Sequence, residues 1–321
     1  MRLSIVVKLW CVAACLVTSS CKKEHVPVLV QAIQTTFNYD LNDIAFVNDS
    51  VGFTCGGSRY EIGIFAKTTN GGLSWQAADS IIPKAAYSLS FLNEQNGWVG
   101  GYDSYVAKTI DGGQSFTVQT GNYFPTYDLF FADSLRGLSL SGNGGVRGFV
   151  QRTQDGGATW TETELLSTLR GAAYAGNYTW YVCGYGVVYK STDDGRSFTP
   201  TPATGDNFMA IDFPTATTGY VIGYDGTILK TDDGGETFKK QKRGNAFFAP
   251  REHLLAINFL NENVGYVCGE GGLMYTTKNG GESWEKIQQF TTLSLRGIHL
   301  FSPIQGAIAA DNGKAFLFKT E

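Results

Sequence analysis

Six short segments set an acid or amide between a hydroxyl residue and a glycine, an oxygen cluster of the kind that metal or acid–base chemistry uses. They are Thr68–Trp75 (TTNGGLSW), Thr109–Phe116 (TIDGGQSF), Thr153–Trp160 (TQDGGATW), Ser191–Phe198 (STDDGRSF), Thr231–Phe238 (TDDGGETF) and Thr277–Trp284 (TKNGGESW). The third position tests that chemistry within the sequence itself. It is Asp111, Asp155, Asp193 and Asp233 in four copies, but Asn70 and Asn279 in two. A metal ligand or general acid loses its charge in that exchange, whereas an acceptor of turn N–H groups loses little. The motif therefore predicts a turn, in which the third-position oxygen accepts backbone N–H groups, glycine supplies left-handed geometry and the closing aromatic packs between units. The pairs Asp193-Asp194 and Asp232-Asp233 lack the remaining ligands of a calcium loop. No metal and no cofactor is expected.

A second set of side chains points to glycoside hydrolysis, sialidase-like in form. Arg59, Arg147, Arg170, Arg251 and Arg296 are available for a carboxylate clamp, and Glu61, Asp103, Asp225 and Glu270 for facing carboxylates. Yet Asp225-Gly226, Glu270-Gly271 and Asn312-Gly313 are dipeptides that tight hairpin turns demand anyway. The Gly pairs also sit in hairpins, not at strand-to-helix turns, which argues against phosphate cradling. Histidine chemistry has only His25, His253 and His299 to draw on. Cys55, Cys183 and Cys268 recur at one place in non-adjacent repeats, too far apart to bridge and without partners at metal spacing. They read as small buried residues.

The elements that position these residues follow from periodicity. The closing aromatics of the six motifs lie 41, 44, 38, 40 and 46 residues apart. Upstream of each copy come an alternating apolar run, a run that mostly opens with Gly and an aromatic, and a third short run; the motif aromatic opens a fourth. Such runs, separated by Gly, Asn and Asp, read as strands and turns. Four strands in about forty residues make a β-propeller blade. The first run occurs seven times: Leu41–Phe46, Ala86–Phe91, Thr126–Phe131, Leu169–Tyr174, Phe208–Phe213, Leu254–Phe259 and Leu295–Leu300. The last repeat stops at Glu321, where its motif should begin. The prediction is an all-β, seven-bladed propeller of four-stranded antiparallel blades, closed by Val26–Thr36 pairing into the last blade as its outer strand and covering the open edge.

The motif matches the Asp-box, S/T-x-D-x-G-x-x-W/F, found on propellers of sialidases, sortilin-type receptors and some endoglucanases. The whole repeat resembles the photosystem II assembly and stability factor family. Repeat five carries that pattern almost entirely, in Ile211-Asp212-Phe213, Gly219-Tyr220-Val221-Ile222-Gly223, Gly226-Thr227-Ile228, Thr231, Gly234-Gly235 and Phe238. Repeat six, Ile257-Asn258-Phe259 through Trp284, does likewise, and the resemblance runs from about residue 37 to the end. It implies a non-enzymatic propeller that binds proteins during assembly or at the envelope. The alternative is a carbohydrate-active propeller, a glycoside hydrolase or a lectin.

Charge excludes one class. The chain has 25 basic and 29 acidic residues, and removing residues 1–20 with Arg2 and Lys8 takes the net charge from −4 to −6. Nucleic acid needs a basic footprint. Residues 1–20 read as an export signal whose apolar stretch Leu9–Val17 is too short to span a bilayer. Ser19 and Ser20 before Cys21, with Lys22-Lys23-Glu24 after it, resemble a bacterial lipobox, although Thr18 stands where an aliphatic residue is usual. Val12-Ala13-Ala14-Cys15 fits the box locally but leaves a shorter apolar region. The reading places a lipid on Cys21, a short tether over 21–25 and one propeller over 26–321. The expected protein is monomeric, exported and held to the bacterial envelope by its lipid alone.

Turns between second and third strands share the propeller face opposite the Asp-boxes, where Asp-box enzymes bind ligands. The starts of the first strands give Tyr87, Tyr127, Arg170, His253 and Arg296 as mouth residues. The longest link, Lys239–His253, adds Phe247, Phe248 and Arg251 to the partner-binding set. Aromatics with arginine on a rim are anchors of recognition surfaces. The partner is expected to be a protein, with a glycan as the alternative.

Overall fold

The computed structural model describes residues 25–78, 82–119, 124–242, 244 and 252–321. The export signal, Cys21, Phe247, Phe248 and Arg251 lie outside the described residues. Among the described ones, the strands form seven four-stranded antiparallel sheets, so the predicted propeller is present. The first strands pack side by side around the axis, and Leu41–Phe46 of blade 1 lies against Leu295–Ser302 of blade 7. Helix is confined to the three-residue 3-10 turn Glu270–Gly272, and no described helix is long and apolar enough to cross a membrane.

The ring closes as the missing seventh motif requires. Val28–Gln34 pairs antiparallel with Lys314–Thr320, from Val28 opposite Thr320 to Gln34 opposite Lys314. Ile33 is buried and packs with Ile44, Trp75 and Ala309 between blades 7 and 1. Burying such a side chain is worth about 1.5–3 kcal/mol.

The Gly-aromatic opening of the second strands has a packing cause. A Cβ on Gly97 would lie 2.4 Å from the Phe91 ring of its own blade, and Gly137, Gly219 and Gly265 meet Phe131, Phe213 and Phe259 in the same way. The aromatic after the glycine stacks on the next blade: Phe53 on Phe91 at 3.6 Å, Trp98 on Phe131 at 3.6 Å and Tyr220 on Phe259 at 3.7 Å. Glycine thus makes room for one ring while its neighbour joins the blades. Cys55, Cys183 and Cys268 are free and buried as expected.

The Asp-boxes are hairpin turns. In blade 3, Thr153 Oγ1 accepts the Gly157 N–H at 2.8 Å, and Asp155 Oδ1 accepts the Thr159 N–H at 2.8 Å. Thr159 Oγ donates to Asp155 Oδ2 at 2.6 Å. The asparagine copies keep this net by reversing one bond. Asn70 Nδ2 donates to Ser74 Oγ at 2.9 Å while Asn70 Oδ1 still accepts the Ser74 N–H at 3.0 Å. The strand begins one residue after the aromatic, so Trp75 ends the turn and Gln76–Ala77 form the fourth strand. Each turn is also tied to the turn between first and second strands of its own blade. The Gly71 N–H donates to Ser50 O at 2.8 Å and the Gly156 N–H to Leu135 O at 2.9 Å. All six Asp-boxes therefore occupy one face of the ring.

Candidate binding site at the channel mouth

At the opposite face every first strand carries a β-bulge one residue after its start. Pairing with the second strand skips Asn42, Tyr87, Tyr127, Arg170, Met209, Leu255 and Arg296, one residue per blade. A bulge leaves its extra residue unpaired and re-aims the side chain. All seven line the central channel, a cavity of about 620 Å³ that opens at this face. The fold thus supplies a ring of seven variable positions on an invariant frame.

Four of the eight sequence-derived residues belong to this ring: Tyr87, Tyr127, Arg170 and Arg296. Their surroundings differ. The Arg170 guanidinium lies over the Tyr127 ring at 4.0 Å, and Tyr127 faces Tyr87 with centroids 6.1 Å apart. Arg59, exposed in the turn between the second and third strands of blade 1, hydrogen-bonds Tyr87, and that contact raises the Arg59 pKa further. Two cations therefore bracket two stacked tyrosines across blades 1 to 4. Among the described residues, neither Arg59 nor Arg170 has a carboxylate partner. Arg296 is neutralised, by Asp40 at 3.1 Å and by Asp311. The three channel arginines are held on separate supports, and Arg147 is paired with Glu164 away from the channel.

His253 does not line the channel. It precedes the strand, its ring stacks on Tyr224 at 3.9 Å, and Nδ1 lies 2.7 Å from the Tyr224 carbonyl oxygen. The channel position of blade 6 is Leu255, two residues on. Beside it, Glu252 is held by Lys242, Lys286 and the Tyr275 hydroxyl; these contacts overcome the upward push of its partial burial and bring its pKa down to about 2.

Below the ring lie polar groups that sequence reading passed over. First strands of most blades hand a side-chain acceptor to the next blade. Asp43 Oδ2 accepts the Leu89 N–H at 3.0 Å, Ser88 Oγ that of Leu129 at 3.2 Å, and Asp128 Oδ2 that of Ala172 at 2.7 Å. Farther round, Asp212 Oδ2 accepts the Phe259 N–H at 2.7 Å and Asn258 Oδ1 the Leu300 N–H at 2.9 Å. Burial pushes Asp43 up to about 7 and Asp212 up to about 6, and Asp128 is raised for the same reason. A raised carboxylate in a channel is what a general acid requires. Here the oxygens of Asp43 and Asp128 are engaged by backbone N–H groups, which makes them joints between blades. Among the described residues, no cluster of three His, Cys, Asp or Glu side chains can hold a metal.

Fold and site together define a seven-bladed Asp-box propeller whose channel mouth carries one bulge side chain from each blade. The family to which this points is the one described as Photosynthesis system II assembly factor YCF48, whose model matches residues 200–298, from the end of blade 4 to the first strand of blade 7. The resemblance read from the sequence is thereby shown. Solved structures of two such factors share the fold. One is "YCF48 bound to D1 peptide" (TM-score 0.72, 18% identity, covering 92% of this chain and 98% of that one). The other is "YCF48 from Cyanidioschyzon merolae" (TM-score 0.69, 16% identity, 90% and 98%). The WD40 propeller domain of Doa1 superposes comparably, with a TM-score of 0.73 at 12% identity over 92% of this chain and 98% of that one. No curated protein matches the sequence.

Proposed function

We propose that this chain is a non-enzymatic propeller, lipid-anchored in the bacterial envelope, whose channel mouth holds a segment of another protein during assembly of a larger complex. The observation that carries this reading is the bracket of Arg59 and Arg170 around Tyr87 and Tyr127. Stacked aromatics give a rigid apolar platform at small entropic cost, and arginines without a carboxylate partner attract an acidic group. The ligand class is therefore a peptide segment with an acidic residue or a terminal carboxylate. The similar solved structure titled "YCF48 bound to D1 peptide" supports a protein segment as the ligand class.

A photo-crosslinking residue at Leu255 on the mouth, compared with one at Leu260 on the Asp-box face, tests it in cells. The mouth position should trap a discrete protein, and Arg59→Ala/Arg170→Ala should abolish the adduct. Equal trapping from both faces, or an adduct indifferent to the arginines, contradicts it. Turnover in a glycosidase screen would instead favour the carbohydrate-active reading.

A further inference from the structure

The propeller has two faces, and the chain enters at only one of them. Val28 pairs with Thr320, at the end of blade 7 where third strands elsewhere turn into Asp-boxes. The adjoining Glu321 carbonyl accepts a hydrogen bond at 3.2 Å from Lys278 Nζ, in the Asp-box turn of blade 6. Val26 is pinned at the same edge. Its N–H donates to Lys286 O and its carbonyl accepts the Gln288 N–H, both at 2.9 Å. From there the closing strand runs to the opposite face, where Gln34 lies opposite Lys314 before the link into blade 1.

We infer that a lipid on Cys21 orients the propeller with its Asp-box face toward the bilayer and its channel mouth away from it. The inference rests on the lipid-anchor reading. Five residues, 21 to 25, reach at most about 18 Å when fully extended. Five of the first strands have six residues, and that length alone separates the two faces by about 20 Å, before the turns are added. The tether is therefore too short to turn the ring over and bring the mouth to the headgroups. Partners reach the mouth from the aqueous side, as extramembrane segments, and neither lipid headgroups nor membrane-embedded helices meet it.

Blade 3 offers two reporters at opposite ends of one strand: Leu135 in the Asp-box-face turn and Val146 in the mouth-face turn, both exposed. The full chain is expressed in a bacterial host with p-azidophenylalanine at 135 or at 146, and mass spectrometry reads whether Cys21 is acylated. In parallel, the chain from residue 21, which retains every described residue, is coupled through Cys21 to a maleimide phospholipid. Its other three thiols are buried. Both proteins receive a donor dye at the azide and join phosphatidylcholine vesicles bearing headgroup acceptors. Transfer efficiency at 135 should be at least twofold that at 146. Equal transfer, or more from 146, overturns the orientation. Absence of acylation in cells with that order kept in the coupled protein supports the orientation and overturns the lipid-anchor reading instead.

Discussion

Asp194 stands where other Asp-boxes have glycine and keeps the left-handed backbone, at φ 63°. Its carboxylate compensates by pairing with buried Arg152 of blade 3 at 2.9 Å and accepting from Trp180 Nε1 at 3.2 Å. Restoring the motif with Asp194→Gly relieves about 1 kcal/mol of strain but strands a buried guanidinium, at about 3–5 kcal/mol. The variant should therefore lose roughly 2–4 kcal/mol in urea unfolding, and a variant as stable as the parent contradicts the pairing. At Asp155, replacement by Asn should be nearly neutral and replacement by Ala should cost about 1 kcal/mol, because only Asn preserves the acceptor. Equal losses would remove the turn-acceptor account. Channel titration gives a third residue-scale prediction. The folded pKa of Asp43, about 7, lies above its ordinary 3.8, so its contribution is complete below pH 3.8 and is lost as pH rises to about 7. Half-buried His299, lowered to about 4 by desolvation, opposes it, contributing above pH 6.5 and losing that as pH falls to about 4. Asp43→Asn should flatten the fall in Tm between pH 5 and 8; parallel Tm curves for parent and variant would refute the Asp43 assignment.

At the scale of elements, the closing strand is the decisive piece. Deleting residues 28–34 opens blade 7 and should lower Tm sharply with loss of cooperativity, and Ile33→Ala alone should cost about 2–4 kcal/mol. A synthetic peptide of residues 26–36 should restore the deletion variant; a deletion that melts like the parent contradicts closure by this strand. Strands and turns were legible because the alternating run repeats seven times and the Gly-aromatic pair four times, and the missing last motif exposed the closure. The bulges were not legible. Asn, Tyr, Arg, Met and Leu all occupy that position, so no residue type marks it, and in blade 6 the reading chose His253, which precedes the strand, in place of Leu255. Asp43, Asp128 and Asp212 look like ordinary polar positions of a half-buried strand. Their roles depend on N–H groups of a neighbouring blade some forty residues away.

For the molecule as a whole, the frame and the proposed recognition surface are separated. Six Asp-boxes and the closing strand fix one face, while the other presents seven bulge side chains outside the strand pairing, of which Asn42 donates to the Ala86 carbonyl at 2.8 Å. Through Arg59 and Arg170 beside Tyr87 and Tyr127, this mouth is proposed to bind an acidic protein segment. The most direct test is fluorescence anisotropy with the tightest peptide selected from an array of extramembrane segments of the source envelope, at low and high salt. The parent should bind with an affinity that weakens as salt rises, and Arg59→Ala/Arg170→Ala should weaken binding at least tenfold, about 1.4 kcal/mol, without changing Tm. Equal affinity of parent and double variant would contradict the account.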